Sequence, residues 1–174
     1  PHNIGILPRG VYVQRFHPDK GNGYLKNRWN VQDGIKLLYV GRVSREKNMV
    51  FLCEVYKKLL RSTQSVNLIC VGDGPYLQEM KKALLGTPCV FTGYLEGEEL
   101  AAAYASCDLF VFPSTTDTFG NVILEAQASG LPVLVSDVGG FQENIIPGET
   151  GIVVQAEEEK FIAALQSLVT SPER

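Results

Sequence analysis

The sequence predicts an α/β fold in which helices cover both faces of a doubly wound parallel sheet, as in Rossmann-like domains. The first observation is that short apolar runs alternate with helical stretches about six times after residue 34. The second is that these runs are apolar along most of their length rather than at alternate positions, which is typical of strands buried on both faces. Such an alternation favours parallel strands joined by right-handed crossovers.

The predicted strands are short apolar runs that end at a glycine or a polar loop. The first run, IKLLYV, ends at Gly41, and the second, VNLICV, ends at Gly72. Glycines and polar turn residues in these places indicate where a strand stops. The predicted strands cover residues 35–40, 66–71, 89–92, 109–112, 133–135 and 152–154.

The predicted helices are recognised by apolar residues that recur at helical spacing. The first helix places Met49, Leu52, Cys53, Tyr56, Leu59 and Leu60 on one face. Gly130 suits the position just past a helix end, and the acids at the start of the last helix suit the helix dipole. The predicted helices cover residues 48–61, 76–85, 98–105, 142–145 and 157–169, together with the stretch that ends before Gly130.

Residues 1–34 lack strong periodicity and contain Pro8, Pro18 and several glycines, with only a weak helical pattern at 25–30. We interpret them as an interdomain connection followed by a long loop, and residues 35–174 as one domain. The chain begins at Pro1 without an initiator Met, which indicates a fragment of a longer protein. It opens without a signal-peptide pattern, and no apolar run approaches the ~20 residues that span a bilayer.

Composition narrows the functional classes. The four cysteines form no CxxC pair and lie in apolar stretches, which favours free thiols in a reducing, cytoplasmic compartment. With only two histidines, a His-based metal site is not expected. Aromatic and basic residues are not interleaved as they are in proteins that bind single-stranded nucleic acids, so the sequence does not indicate nucleic-acid binding.

The net charge of −3 hides an uneven distribution. Residues 1–95 carry 14 basic and 6 acidic side chains, whereas residues 96–174 carry 2 basic and 13 acidic ones. This asymmetry indicates a basic partner surface, one half of a cleft that faces a further domain, or an uneven distribution over solvated faces.

Ligands of doubly wound domains bind at the carboxyl ends of the strands, so the loops that follow them are the candidate site. The loop GRVSREK places Arg42 and Lys47 after the first strand. An Arg fork and a Lys point charge beside a helix start are suited to a diphosphate. The alternative is a solvated basic loop, since Arg45 lies there as well.

Two further loops contribute candidates. Gly72 and Gly74 in GDGP allow a ligand to approach the backbone, although such glycines are common in plain turns. Around the later helix start, the N–H groups of Phe119, Gly120 and Asn121 form a predicted anion site.

Two acids flank this helix start. Glu125 could accept hydrogen bonds from two ribose hydroxyls, and Asp117 could bind hydroxyls of a second ring. The alternative is that Asp117 caps the helix and Glu125 lies on the surface. The apolar residues around Glu125 favour a partnered acid.

The motifs GRVSREKN, VGDGP, FTGYL, CDLFVFPSTTDTFGNVILEAQASGLPV and SDVGGFQENI, in this order, resemble the donor-nucleotide half of a family 4 glycosyltransferase, also called group 1. The resemblance extends over nearly the whole chain. It implies the C-terminal half of a two-domain GT-B enzyme. It also implies retaining transfer of a hexose from a UDP-, GDP- or ADP-sugar to an acceptor hydroxyl.

The resemblance also assigns roles to the site residues. Arg42 and Lys47 would bind the diphosphate, Glu125 the ribose and Asp117 the donor sugar. Backbone groups of Phe119, Gly120 and Asn121 would hold the sugar or its phosphates. The remaining contacts to the nucleotide would come from Gly93, Tyr94 and Leu95 at the base and from Gly72 and Gly74 beside it.

No metal ion and no cofactor are implied. The partner would be the protein's own N-terminal acceptor-binding domain, which should precede Pro1, and a closing helix should follow Arg174. Any membrane association, peripheral in nature, would run through that missing domain.

Two features depart from the family pattern: one acid and one early loop. Asp117 stands where the family usually has Glu, so its carboxylate would lie ~1.5 Å further back. The early loop reads PRGVY instead of PNGVD, with Arg9 and Tyr12, and the sequence offers no explanation for that change. Other interpretations are a sugar-nucleotide epimerase, a glycan phosphorylase, or a nucleotide-binding module with weakened catalysis.

Overall fold

The computed structural model describes residues 10–63, 65–117 and 119–170, and in these residues six parallel strands form one sheet. The strands are β1 Ile35–Val40, β2 Val66–Val71, β3 Cys89–Gly93, β4 Leu109–Phe112, β5 Val133–Ser136 and β6 Gly151–Val154. Their spatial order is β3-β2-β1-β4-β5-β6. The chain therefore winds outwards twice from the centre, and the direction reverses between β1 and β4.

The α-helices of the described residues are α1 Tyr24–Trp29, α2 Met49–Ser62, α3 Leu77–Ala83, α4 Gly97–Ala105, α5 Asn121–Ala128 and α6 Glu158–Thr170. Short 3-10 turns cover Pro18–Lys20, Arg45–Lys47 and Phe141–Asn144. The predicted elements from residue 35 onward are present within two residues at each end, and the predicted helix at 142–145 is a 3-10 turn. The doubly wound parallel fold is confirmed.

The core follows the apolar pattern of the strands. All residues of β2, β4 and β5 are buried. In the middle of the sheet, Leu37 of β1 lies between Leu68 on one side and Leu109 on the other. Strands of this kind need cover on both faces, because each face removes apolar surface from water.

Helix α2 buries the face that the sequence predicts, although Leu60 is only partly buried. The Tyr56 hydroxyl at its centre donates to the carbonyl oxygens of Val66 and Pro88, each at 2.9 Å. On the opposite side of α2, the Phe51 ring meets Phe161 of α6 edge to face at 5.3 Å. These contacts fix α2 against the sheet and against the last helix.

The segment before the sheet is more ordered than its irregular sequence indicates. Within residues 10–34, the weak pattern at 25–30 corresponds to helix α1, shifted by one residue, and Phe16, Leu25 and Val31 are buried in the core. The Ser106 hydroxyl donates to the carbonyl of Gly21 at 2.7 Å. The described part of this segment therefore packs on the domain rather than forming a free loop, while Arg9 lies outside the described residues.

The structure also bears on the predictions about the cysteines and about membrane-spanning segments. Each of the four cysteines is a free thiol, and burial raises the pKa of Cys53 to about 11 and that of Cys70 to about 12. No helix in the described part of the chain is long and apolar enough to cross a bilayer.

Candidate functional site

The loops that follow β1 and β4 lie side by side where the winding of the sheet reverses. Asn48 Nδ2 donates to the carbonyl of Pro113 at 3.2 Å, and Thr116 Oγ1 donates to the carbonyl of Glu46 at 3.2 Å. These two bonds join residues about 65–70 positions apart in the sequence. They hold the β1 exit, with its basic side chains, against the β4 exit, with its acid.

Lys47 and Asp117 meet across this junction. Lys47 Nζ lies 2.8 Å from Asp117 Oδ1, and the two side chains are 19% and 26% exposed. The other carboxylate oxygen, Oδ2, is buried and has no hydrogen-bond partner among the described residues. Since buried polar atoms are normally paired, Oδ2 is an exception among the described residues, and Asp117 is held chiefly by Lys47.

Asp117 is not a helix cap. The N-cap of α5 is Gly120, which has no side chain to cap the helix. Gly120 has a φ of 63°, and a Cβ atom there would lie 2.7 Å from Cβ of Phe141. Glycine is therefore required both by the backbone conformation and by the packing.

A cavity of about 310 Å³ opens over this junction. Its lining combines basic, acidic and backbone groups: Arg42, Lys47, Asp117, Phe119, Gly120 and Asn121 belong to it. Helix α5 begins at Asn121, so its first backbone N–H groups lack partners within the helix. The cavity lining thus includes two cations, one acid and the N-terminus of a helix.

Arg42 is the more exposed of the two predicted cations. Its side chain is 64% exposed and lies 3.6 Å from the carboxylate of Glu46. Its backbone is fixed, because the buried Tyr39 hydroxyl donates to the Arg42 carbonyl at 2.9 Å. The Arg42 guanidinium can therefore move towards a ligand while its Cα stays in place.

A second cavity, of about 620 Å³, lies beside the first. The two share Val40, Gly41, Arg42 and Val122 in their linings. The second also contains the predicted residues Gly72, Tyr94, Leu95 and Glu125. The predicted site residues after β1, β2, β3 and β4 are thus brought to one edge of the sheet.

Glu125 has a partner inside the domain. The buried Tyr104 hydroxyl of α4 donates to Glu125 Oε2 at 2.9 Å. Burial raises the pKa of Glu125, and the Tyr104 hydrogen bond and the charge of Arg15 oppose that rise. The alternative that Glu125 is a plain surface residue therefore does not hold.

Two of the predicted glycines shape the site from outside its lining. Gly74 packs against the backbone of Val43, and Gly93 accepts a hydrogen bond of 2.8 Å from Gly72 N–H. Gly72 itself lies against the carbonyl oxygen of Gly41, where a side chain would collide. The structure places Gly72 in the second cavity, whereas neither Gly74 nor Gly93 belongs to its lining.

Sequence reasoning missed several residues that the structure brings to the site. Tyr39 and Tyr104 are buried beneath it, and Tyr12 and Arg15 line the second cavity. The sequence could have pointed to Tyr12, since this residue replaces the Asp of the family pattern. No sequence signal points to Tyr104, because its contact with Glu125 joins two different helices. Among the residues that the structure describes, no cluster of His, Cys, Asp or Glu could hold a metal ion.

The sheet order and the cavity at the reversal of the winding define a Rossmann-like domain of the kind found in GT-B glycosyltransferases. The sequence matches the family described as glycosyl transferases group 1 over residues 34–171. The chain therefore belongs to the group 1 glycosyltransferase family.

Individual relatives agree with the family. The sulfoquinovosyl transferase SQD2 of Arabidopsis thaliana is 37% identical over 175 residues, which cover 97% of this chain and 33% of the relative. A GDP-mannose-dependent alpha-mannosyltransferase of Mycobacterium tuberculosis is 41% identical over 151 residues, covering 86% of this chain and 38% of the relative. The matched residues thus cover between 33% and 38% of the length of these two relatives.

A solved structure shows the same architecture. Sucrose-phosphate synthase from Thermosynechococcus elongatus superposes with a TM-score of 0.80 at 29% identity. The match covers 95% of this chain and 43% of that structure. The likeness therefore extends over almost all of this chain and over less than half of the larger protein.

Proposed function

We propose that this chain is the donor-nucleotide half of a retaining glycosyltransferase, which moves a hexose from a nucleotide-diphosphate sugar to an acceptor hydroxyl. The observation that carries the proposal is a pair of neighbouring cavities with a shared wall that includes Arg42, one lined also by Lys47 and Asp117 and the other by Glu125. It offers a seat for a diphosphate at the reversal of the sheet, with an acid on each side of that seat.

In this proposal, Arg42, Lys47 and the start of α5 bind the diphosphate. They stabilise the negative charge that grows on the leaving group as the glycosidic bond breaks. Cations and a helix N-terminus can do this without a metal ion. Backbone groups of Phe119, Gly120 and Asn121 hold the phosphates or the sugar.

The two acids bind hydroxyl groups on either side. Glu125 accepts hydrogen bonds from the ribose, and the carboxylate of Asp117, which lines the first cavity, accepts one from the donor sugar. Residues 93–95 lie beside the base, with the exposed ring of Tyr94 at the edge of the cavity. The shorter acid at position 117 remains within reach of Lys47, which holds its carboxylate in place.

The named relatives favour a transferase over an epimerase. One is a sulfoquinovosyl transferase and another is a GDP-mannose-dependent mannosyltransferase. A nucleotide-diphosphate sugar is thus the expected donor, and a hexose the expected group transferred. Since the chain spans about a third of these relatives, we expect an N-terminal domain of the same protein to bind the acceptor. The free cysteines support a reducing, cytoplasmic location.

Calorimetric titration with UDP, GDP and ADP tests the donor site. We expect one of the three to bind with a stoichiometry of about one, and inorganic diphosphate to bind more weakly because it lacks the ribose contacts. A folded sample that binds none of the nucleotides at millimolar concentration would contradict the proposal. Binding that survives the loss of both Arg42 and Lys47 would contradict the assigned site.

A further inference from the structure

We propose that Arg15 is a positioning residue of the nucleotide site, which keeps Glu125 ready to accept the ribose hydroxyls and is itself held in place by the ring of Tyr12. This inference rests on the proposed function and adds residues from the segment before the sheet to the donor site. It also explains the Tyr12 that departs from the family pattern.

The fold brings Arg15 and Glu125 to the same cavity, of about 620 Å³, although one precedes the sheet and the other belongs to α5. The backbone N–H groups of Arg15 and Phe16 both donate to the carbonyl of Tyr12, each at 2.9 Å. This tight turn fixes the direction in which Arg15 leaves the chain.

The turn that carries Arg15 is anchored by Phe16. Phe16 is 5% exposed, and its ring meets Tyr104 edge to face at 5.6 Å. Tyr104 in turn donates its hydroxyl to Glu125. A continuous set of contacts therefore joins the turn that carries Arg15 to the carboxylate that Arg15 is proposed to serve.

Tyr12 contributes through the contact between its ring and the Arg15 guanidinium. The Arg15 guanidinium carbon lies 5.8 Å from the centroid of the Tyr12 ring, within the range of a cation–π contact. Tyr12 is 73% exposed and lines the cavity, so the ring buries little and has no packing role in the core. An Asp at this position would instead form an ion pair with Arg15 and remove part of its charge from the cavity.

The proposed effect of Arg15 on the Glu125 carboxylate is electrostatic. An ionised carboxylate accepts hydrogen bonds on both oxygens, whereas a protonated one loses part of this capacity. Glu125 is half-buried, and burial raises its pKa. The cavity also contains the acids Asp73 and Glu96, while Arg15 and Arg42 are the cations among its described lining residues. The charge of Arg15 opposes the effect of burial on the Glu125 carboxylate.

The test measures binding of UDP, GDP and ADP, and of the dideoxy analogue of whichever binds, which lacks both ribose hydroxyls. We expect Arg15→Met to weaken binding of the ribonucleotide about fivefold, the effect of one partly exposed charge. Binding of the dideoxy analogue should not change, and Arg15→Lys should restore part of the loss. In a Glu125→Gln background, Arg15→Met should have no further effect.

Arg28→Met is the matched control. Arg28 is also exposed and also lies over an aromatic ring, 5.6 Å from the centroid of Trp29, but it lines a different cavity. It should leave the affinity unchanged. Equal losses for the ribonucleotide and the dideoxy analogue, or an unchanged affinity in Arg15→Met, would overturn the inference alone. No binding by the unmodified protein would overturn the proposed function and the inference with it.

Discussion

Asp117 and Glu125 are acids on either side of Gly120 in the sequence, yet their surroundings differ. Asp117 is paired with a cation, and one of its oxygens has no partner among the described residues. Glu125 is paired with a neutral tyrosine hydroxyl, and burial raises its pKa. Neither pairing resembles an acid and base that share a proton.

Replacing Glu125 by Ala should weaken nucleotide-diphosphate binding by about 1.5–3 kcal/mol, the range for hydrogen bonds to a charged group. Calorimetry measures the change. Glu99→Ala is the control, since Glu99 is an exposed acid that lines another cavity. An unchanged affinity in Glu125→Ala would remove Glu125 from the nucleotide site.

Replacing Asp117 by Asn should affect the free nucleotide diphosphate and the sugar nucleotide differently. Lys47 would lose its counter-charge, so the free nucleotide diphosphate should bind about fivefold more tightly, as expected for a pair worth about 1 kcal/mol. The sugar nucleotide should gain less or lose affinity, because the amide replaces an acceptor for its hydroxyls.

Glu98→Gln provides the control for that experiment, since Glu98 forms a 2.9 Å ion pair with Lys20 away from the site. Equal changes for the free nucleotide and the sugar nucleotide in Asp117→Asn would show that Asp117 does not contact the donor sugar.

At the scale of elements, the strand exits carry the site and the helix starts shape it. The apolar runs predict β1 to β6 closely because a strand buried on both faces has little choice of residue. Helix α1 and the 3-10 turn Phe141–Asn144 were less well predicted, since tertiary packing rather than periodicity sets them. Phe141, for example, is fully buried beside Gly120.

The side-chain pairs of the site could not be predicted from the sequence. Lys47 and Asp117 are far apart in the chain, and Tyr104 and Glu125 lie on different helices. Their contacts depend on the relative position of elements, which no local pattern reports. The strand-exit rule predicted the edge of the sheet at which the residues meet, but not which of them touch.

The start of α5 allows a matched comparison of two glycines. Gly120 and Gly148 both have a left-handed φ, of 63° and 81°, but only Gly120 has close neighbours at the position of a Cβ. Both alanine variants should pay about 1–2 kcal/mol for the backbone conformation. Gly120→Ala should lose a further ~1–3 kcal/mol through overpacking against Phe141.

Urea denaturation measures both free energies of unfolding. Equal destabilisation by Gly120→Ala and Gly148→Ala would show that the contact with Phe141 relaxes freely. In that case, the conformation of the α5 start would not depend on this packing.

At the scale of the whole molecule, the fold places the basic and acidic parts of the sequence side by side. Several ion pairs join them, including Lys20–Glu98, Lys47–Asp117 and Lys58–Glu158. The central position of β1 and β4 in the sheet explains this, because each belongs to a different half of the chain. Part of the uneven charge distribution is therefore balanced by ion pairs within the domain. The cavity that contains Lys47 and Asp117 lies where the basic and acidic parts of the sequence meet.

The central claim is that the cavity at the β1 and β4 exits binds a nucleotide diphosphate. The most direct test is the melting temperature of the protein with UDP, GDP and ADP, compared with an Arg42→Ala, Lys47→Ala double variant. A ligand at about 100 times its Kd adds about 2.7 kcal/mol of stability, so the melting temperature should rise by roughly 5–10 °C with one nucleotide. The rise should disappear in the double variant. No rise with any nucleotide, or an equal rise in the double variant, would contradict the account.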